Sequence, residues 1–208
     1  MVDYDLDKRD VDTKKLAHES RDNQDLFDEL LRGIRSGEKT VRNNSFNTLM
    51  ILNEKNAEYL YPKWDYLHEM LINNNTNEQY IAIYLLASLT SVDTENKFET
   101  IFDEYFGILQ GDKTMLASHV ILNSAKIIAN KPGLRSEIID KLLNTDKIFK
   151  GRQKDLIKVY AIETLRKINA EAEEKIQIEN FIKSQLNSSS SRTRSAARCY
   201  IDRCDIEL

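Results

Sequence analysis

Residues 80–89 read YIAIYLLASL, and the spacing of small and large side chains in this run decides the fold. Ala82, Leu86 and Leu89 stand at i, i+4 and i+7, so on a helix all three share one stripe. Four other segments repeat the small-then-bulky order: Ser45/Leu49/Leu52, Ser118/Leu122/Ala125, Ala161/Leu165/Ile168 and Ala197/Ile201/Cys204. Taken in chain order, the lead residues are 37, 36, 43 and 36 positions apart. A period in this range is the signature of stacked helical units, and a small lead residue lets a neighbouring helix come close. The long third step contains 144–151, NTDKIFKG, expected as an expanded loop.

A second amphipathic stretch lies between successive triplets. Leu60, Trp64, Leu67 and Leu71 keep the helical period, as do Phe98, Ile101, Phe102, Tyr105 and Leu109. Leu134, Ile138 and Leu142 continue the series, and Ile178, Ile182 and Leu186 close it. An earlier helix is expected over 24–35, with Leu26, Phe27, Leu30, Leu31 and Ile34 on its apolar face. Loops are expected at 73–77 (NNNTN), at Gly111-Asp112, from Asn130 to Gly133 and at 188–191. Asn77 and Asp93-Thr94 are candidate caps, and Pro132 suits a first helical turn. Pro62 marks either a late helix start or a kink. No stretch alternates as a strand does.

Composition agrees with this reading. The 208 residues include only 6 Gly and 2 Pro, too few turn-formers for a many-stranded fold. Hydrophobic residues at 41% and charged ones at 31% describe a folded chain, and no apolar run reaches the length of a membrane span. The start, MVDYDLDKRDVD, lacks the basic and apolar regions of a signal peptide, so a cytoplasmic location is expected. Residues 1–29 carry 5 basic and 10 acidic side chains, and residues 1–22 are expected to form an acidic tail. Residues 23–208 are then one domain. Cys199 and Cys204 are rotated by about 140° on a helix, which suits neither a disulfide nor a metal pair; both are expected to be small, half-buried side chains.

Helix pairs at this period resemble HEAT or armadillo-type repeats over residues 24–204. The five triplets carry the resemblance, with Val41-Arg42, which is similar to the valine-arginine opening of a HEAT repeat's second helix. The corresponding stretches elsewhere read Glu78-Gln79, Thr114-Met115 and Arg194-Ser195. The resemblance implies an all-α fold, a right-handed α-solenoid of about five helix pairs, and a groove that binds proteins or peptides.

Chemistry is sparse. His18, His68 and His119 are scattered, no phosphate-binding or nucleophile motif occurs, and the Asp3-x-Asp5-x-Asp7 run lacks the glycine and closing glutamate of a calcium loop. Glu171, Glu173 and Glu174 open a helix, where the macrodipole favours acids. No cofactor, metal or catalytic residue is expected, and the chain reads as no enzyme. Five of its 9 Tyr (Tyr59, Tyr61, Tyr66, Tyr80 and Tyr84) and the single Trp fall within 59–84. Tyr59 and Tyr66 lie off the Leu60/Trp64/Leu67/Leu71 stripe and are the candidate partner-binding anchors. A second candidate is basic: residues 147–204 hold 13 Lys/Arg against 7 Asp/Glu, and Arg194 and Arg198 share a helical face. The favoured function is a protein- or peptide-binding scaffold. The alternative is a nucleic-acid binder of the HEAT-like architecture found in DNA alkylation-repair glycosylases, against which the net charge of −4 argues.

Overall fold

The computed structural model describes residues 4–204, all of whose regular elements are helical. They divide at Ile101/Phe102 into two compact units, where one domain over 23–208 is the expectation from sequence; residues 1–3 and 205–208 of the expected tail and domain lie outside the described residues. The first unit contains α1 (Thr13–Glu19), α2 (Gln24–Gly33), α3 (Lys39–Leu60), α4 (Trp64–Ile72), α5 (Thr76–Leu89) and the short α6 (Lys97–Thr100). The second contains α7 (Phe102–Gly107), α8 (Thr114–Asn130), α9 (Arg135–Leu143), α10 (Thr145–Ile148), α11 (Lys154–Leu165), α12 (Ala172–Gln185) and α13 (Ser191–Cys204).

Neighbouring helices pair. In the first unit α2 lies on α3 and α4 on α5, while α3 also packs against α1 and α5. In the second, α9 and α10 lie on α11, α12 on α13, and α11 sits between α8 and α13. The helices that carry the triplets therefore adjoin one another within each unit, and the second amphipathic stretches flank them. Ser45, Leu49 and Leu52 are buried on α3, as are Ala82, Leu86 and Leu89 on α5. The reason for a small lead residue is visible at α2 and α3: a Cβ placed on Gly33 would overlap the Ser45 side chain, so the two backbones meet at a glycine–serine contact.

One triplet departs from its expected register, on α8, and two lose their third member: Ile168 lies beyond the end of α11 and is half-buried, and Cys204 on α13 is exposed. On α8 the buried stripe is Ala117, Ile121 and Ser124, one position ahead of Ser118/Leu122/Ala125, because Leu116, Val120 and Ile127 add apolar area on that side. On α13 the stripe is Thr193, Ala197, Tyr200 and Ile201, and it turns both Cys199 and Cys204 out to solvent as free, exposed thiols rather than half-buried side chains. On α8 the bulkier apolar set wins.

The helix starts follow local chemistry. Pro62 and Pro132 each open a 3-10 turn, Tyr61–Lys63 and Pro132–Leu134, that leads into α4 and α9. Pro62 thus marks a late start, and the break in α3 is at Asn56 instead, whose φ/ψ of −145°/57° leave the helical region. Asn75 rather than Asn77 caps α5. The Asp93 carboxylate accepts from Lys97 N and Phe98 N, both at 2.9 Å, and from the Tyr61 hydroxyl at 2.7 Å. Glu171 and Glu174 close a reciprocal capping box on α12, which accounts for the acids there.

Residues 144–151 are built around the one-turn helix α10 and are not the expanded loop expected from sequence. Thr145 and Phe149 are buried, Lys150 N donates to Gly111 O at 3.0 Å, and a side chain on Gly151 would strike Phe149 and Asp112 O. The acidic N-terminal stretch is not a tail from residue 4 onward. Leu6, Leu16 and Ala17 are buried, Asp12 caps α1, and Asn44 donates to Leu6 O and Lys8 O at 2.8 Å each. Three apolar anchors outweigh the acids, which stay solvated on the outer side.

One side-chain device recurs. Arg42 donates from Nη1 to Ser36 O at 2.7 Å, and Arg194 donates from Nη1 to Ser188 O at 2.6 Å and Ser189 O at 2.9 Å. Gln79 donates to Leu71 O at 3.2 Å. All three stand three residues before a triplet lead, Ser45, Ala82 or Ala197. Each ties the loop or helix end behind it to its own helix, so the stretch equivalent to Val41-Arg42 on α13 is Thr193-Arg194, one position earlier than Arg194-Ser195.

Candidate interaction surfaces

The first unit exposes aromatic surface between α3 and α5. Phe46 of α3 meets Tyr80 and Tyr84 of α5 edge-on, with ring centroids 5.5 Å and 5.9 Å apart, and Tyr80 and Tyr84 stack tilted at 5.2 Å. All three are half-buried, while Asn43, Asn47 and Asn77 beside them on the same helices are exposed. Tyr80 and Tyr84 are one helical turn apart, so α5, otherwise almost wholly buried, offers this stripe to solvent. Burial foremost, with Tyr80 adding, pushes the Tyr84 hydroxyl up to about 12. The rings hold one another in place and present a rigid apolar patch with two hydroxyls.

The tyrosines expected to anchor a partner fall elsewhere. Tyr59, at the end of α3, is 43% exposed. Tyr66 is half-buried: its hydroxyl donates to Leu31 O at 2.9 Å and its ring lies 5.3 Å beneath the Arg35 guanidinium. Arg35 belongs to a network in which its Nε meets Glu78 Oε2 at 2.9 Å and its Nη2 meets Glu69 at 3.2 Å. Asn73 and Asn75 donate to the same buried Glu78 at 2.6 Å and 3.2 Å. Tyr66 is therefore part of the joint between α2, α4 and α5, and it does not join Tyr59 or the Phe46 patch. Tyr80 and Tyr84 belong to the aromatic cluster at 59–84 without being singled out as anchors, and Phe46 lies outside it; the available signal is the Tyr80/Tyr84 spacing beside, rather than on, the Ala82 stripe.

On the second unit, the basic face separates by role. Arg194 is half-buried and occupied by the loop carbonyls of Ser188 and Ser189, whereas Arg192, Arg198 and Arg203 are exposed. Arg135 is likewise internal, pairing Nε with Glu174 at 2.8 Å and reaching Asn169 O. His119 of α8 is half-buried, and burial lowers its pKa. Among the described residues no group of three or more His, Cys, Asp or Glu is placed to hold a metal, and no helix is long and apolar enough to cross a membrane. Compared with known proteins, the chain matches no family model, no curated protein and no solved structure.

Proposed function

We propose that the chain is a non-catalytic, cytoplasmic scaffold: a right-handed α-solenoid of about five HEAT-like helix pairs that binds a protein or peptide on the faces of its triplet helices. The observation that carries the reading is the Phe46–Tyr80–Tyr84 patch, three interlocked, half-exposed rings beside exposed asparagines on paired helices. Preordered aromatics meet a partner with little entropic loss and bury much apolar area, which is what interface anchors do. The pairing α2–α3, α4–α5, α9–α11 and α12–α13 supports the repeat reading, as does the recurring Arg42, Gln79 and Arg194 tie. Free, exposed Cys199 and Cys204 suit a reducing compartment.

The test is affinity capture from the native organism with the intact chain and with Tyr80→Ala/Tyr84→Ala. A partner held by the intact chain and lost by the variant, with helicity unchanged, is the expected result. Capture that depends on Tyr59 but not on Tyr80 and Tyr84 would move the surface to the end of α3. Capture indifferent to all three would remove the aromatic assignment.

A further inference from the structure

The N-terminal helix and the kinked end of α3 flank a small, partly open cavity of about 70 Å³, lined by Lys14, Ala17, His18, Arg21, Ile51, Leu52, Lys55 and Asn56. Four of these side chains are basic or carry an imidazole, and none is a carboxylate. That is unexpected in a stretch whose first 29 residues are twice as rich in acids as in bases. We propose that this cavity binds a compact phosphate-type dianion. It is a different surface from the aromatic patch, and the proposal stands apart from the scaffold reading.

The geometry behind it is specific. Lys14, His18 and Arg21 come from α1 and the turn after it, and Lys55 and Asn56 from α3 at the point where Asn56 leaves the helical region. Of the nearby acids, Glu19 pairs with Lys15 at 3.7 Å and Asp12 caps α1, while Glu58 accepts from the lining Asn56 at 3.5 Å and Glu54 adjoins Lys55 in sequence; none of these carboxylates lines the cavity itself. The carbonyl end of α1, which would repel an anion, is satisfied internally. Leu16 O accepts from Ser20 N, Ala17 O from the Ser20 hydroxyl, His18 O from Arg21 Nε and Glu19 O from Asp22 N. The floor is apolar, made by Ala17, Ile51 and Leu52, so a bound anion would lie against low-dielectric surface, where charge pairing is stronger than in bulk water.

A single water needs roughly 10–15 Å³ by this measure, so the cavity has room for a phosphate group with a little water. Ammonium and guanidinium donors on two helices can surround a tetrahedral oxyanion from several sides. The dianion has two possible sources, free inorganic phosphate or a phosphoserine side chain, and they share this chemistry.

The experiment follows backbone amide shifts of the full chain by NMR, titrating inorganic phosphate against chloride at matched ionic strength, then a short phosphoserine peptide against its unphosphorylated form. The expected result is saturable movement confined to 14–21 and 51–56 with phosphate. Lys14→Glu/Lys55→Glu should weaken it at least tenfold, and Lys39→Glu, an exposed charge change on α3 outside the cavity, should leave it unaltered. Lys55→Gln, which removes one charge without reversing it, gives a graded loss should the double variant lose helicity. A phosphopeptide saturating at tenfold lower concentration than phosphate identifies a modified side chain as the ligand, and equal saturation identifies the free ion. Shifts equal in chloride, spread over lysines throughout the chain, or retained in the lysine variants would overturn the site.

Discussion

Gly33 is the residue whose identity the packing demands most directly. Ser45 is fully buried against it, so Gly33→Ala forces α2 and α3 apart or drives the serine from its rotamer. Overpacking of this kind costs about 1–3 kcal/mol. Chemical denaturation should show that loss with the m-value unchanged. A pH effect also belongs at this scale. Burial raises Tyr61, Tyr84 and Tyr200 to about 12, and Asp93 adds to the rise at Tyr61. A tyrosine in the unfolded chain titrates near about 10, so the fold favours the neutral phenol. That stabilisation is complete below pH of about 10 and is lost as pH climbs toward about 12. Thermal melts should fall across that window, and Tyr84→Phe should flatten part of the fall. The lead residues Ser45, Ala82, Ala161 and Ala197 were legible from spacing alone. The partner that needs Ser45 small, Gly33, was not, since nothing local links residue 33 to residue 45.

Helices and their connections obey rules that a sequence states well at some places and poorly at others. The amphipathic stripes of α3, α5, α4 and α9 stand where periodicity puts them, because one apolar face must be covered. The α8 register moved by one residue, since Leu116, Val120 and Ile127 lie close enough to the Ser118 stripe to pull it round. Arg42 and Arg194 show a tie that spacing hinted at and geometry specified. Arg42→Ala and Arg194→Ala each strip a guanidinium from loop carbonyls, and each should cost about 1–2 kcal/mol, with lysine restoring only part. Denaturant midpoints of the four variants measure this. If Arg194 instead served a partner, its alanine variant would keep full stability and lose only binding.

Over the whole chain, charge is the property that discriminates between functions. A net charge of −4 and an isoelectric point near 5.5 oppose a polyanion, while Arg192, Arg198 and Arg203 stay exposed on α13. Counterion release needs several such contacts on one face at once, and α13 supplies three exposed arginines on a chain whose net charge is negative. The protein should pass heparin or duplex DNA columns at low salt, and Arg192→Glu/Arg198→Glu should change that little. Strong retention, steeply lost with salt and abolished by the variant, would favour the nucleic-acid alternative over the scaffold.

Helix content, the absence of an alternating strand and the positions of most apolar stripes came from the order of side chains alone, because helical periodicity is a local constraint. Tertiary packing decided the rest. It turned an acid-rich stretch into α1, since Leu6, Leu16 and Ala17 find cover only against distant residues of α3. It converted 144–151 from a loop into a turn wedged on Gly111 and Asp112, and it gathered Phe46, Tyr80 and Tyr84 into one patch. Contacts between residues some 30 or more positions apart depend on how helices are placed, and periodicity carries no record of that.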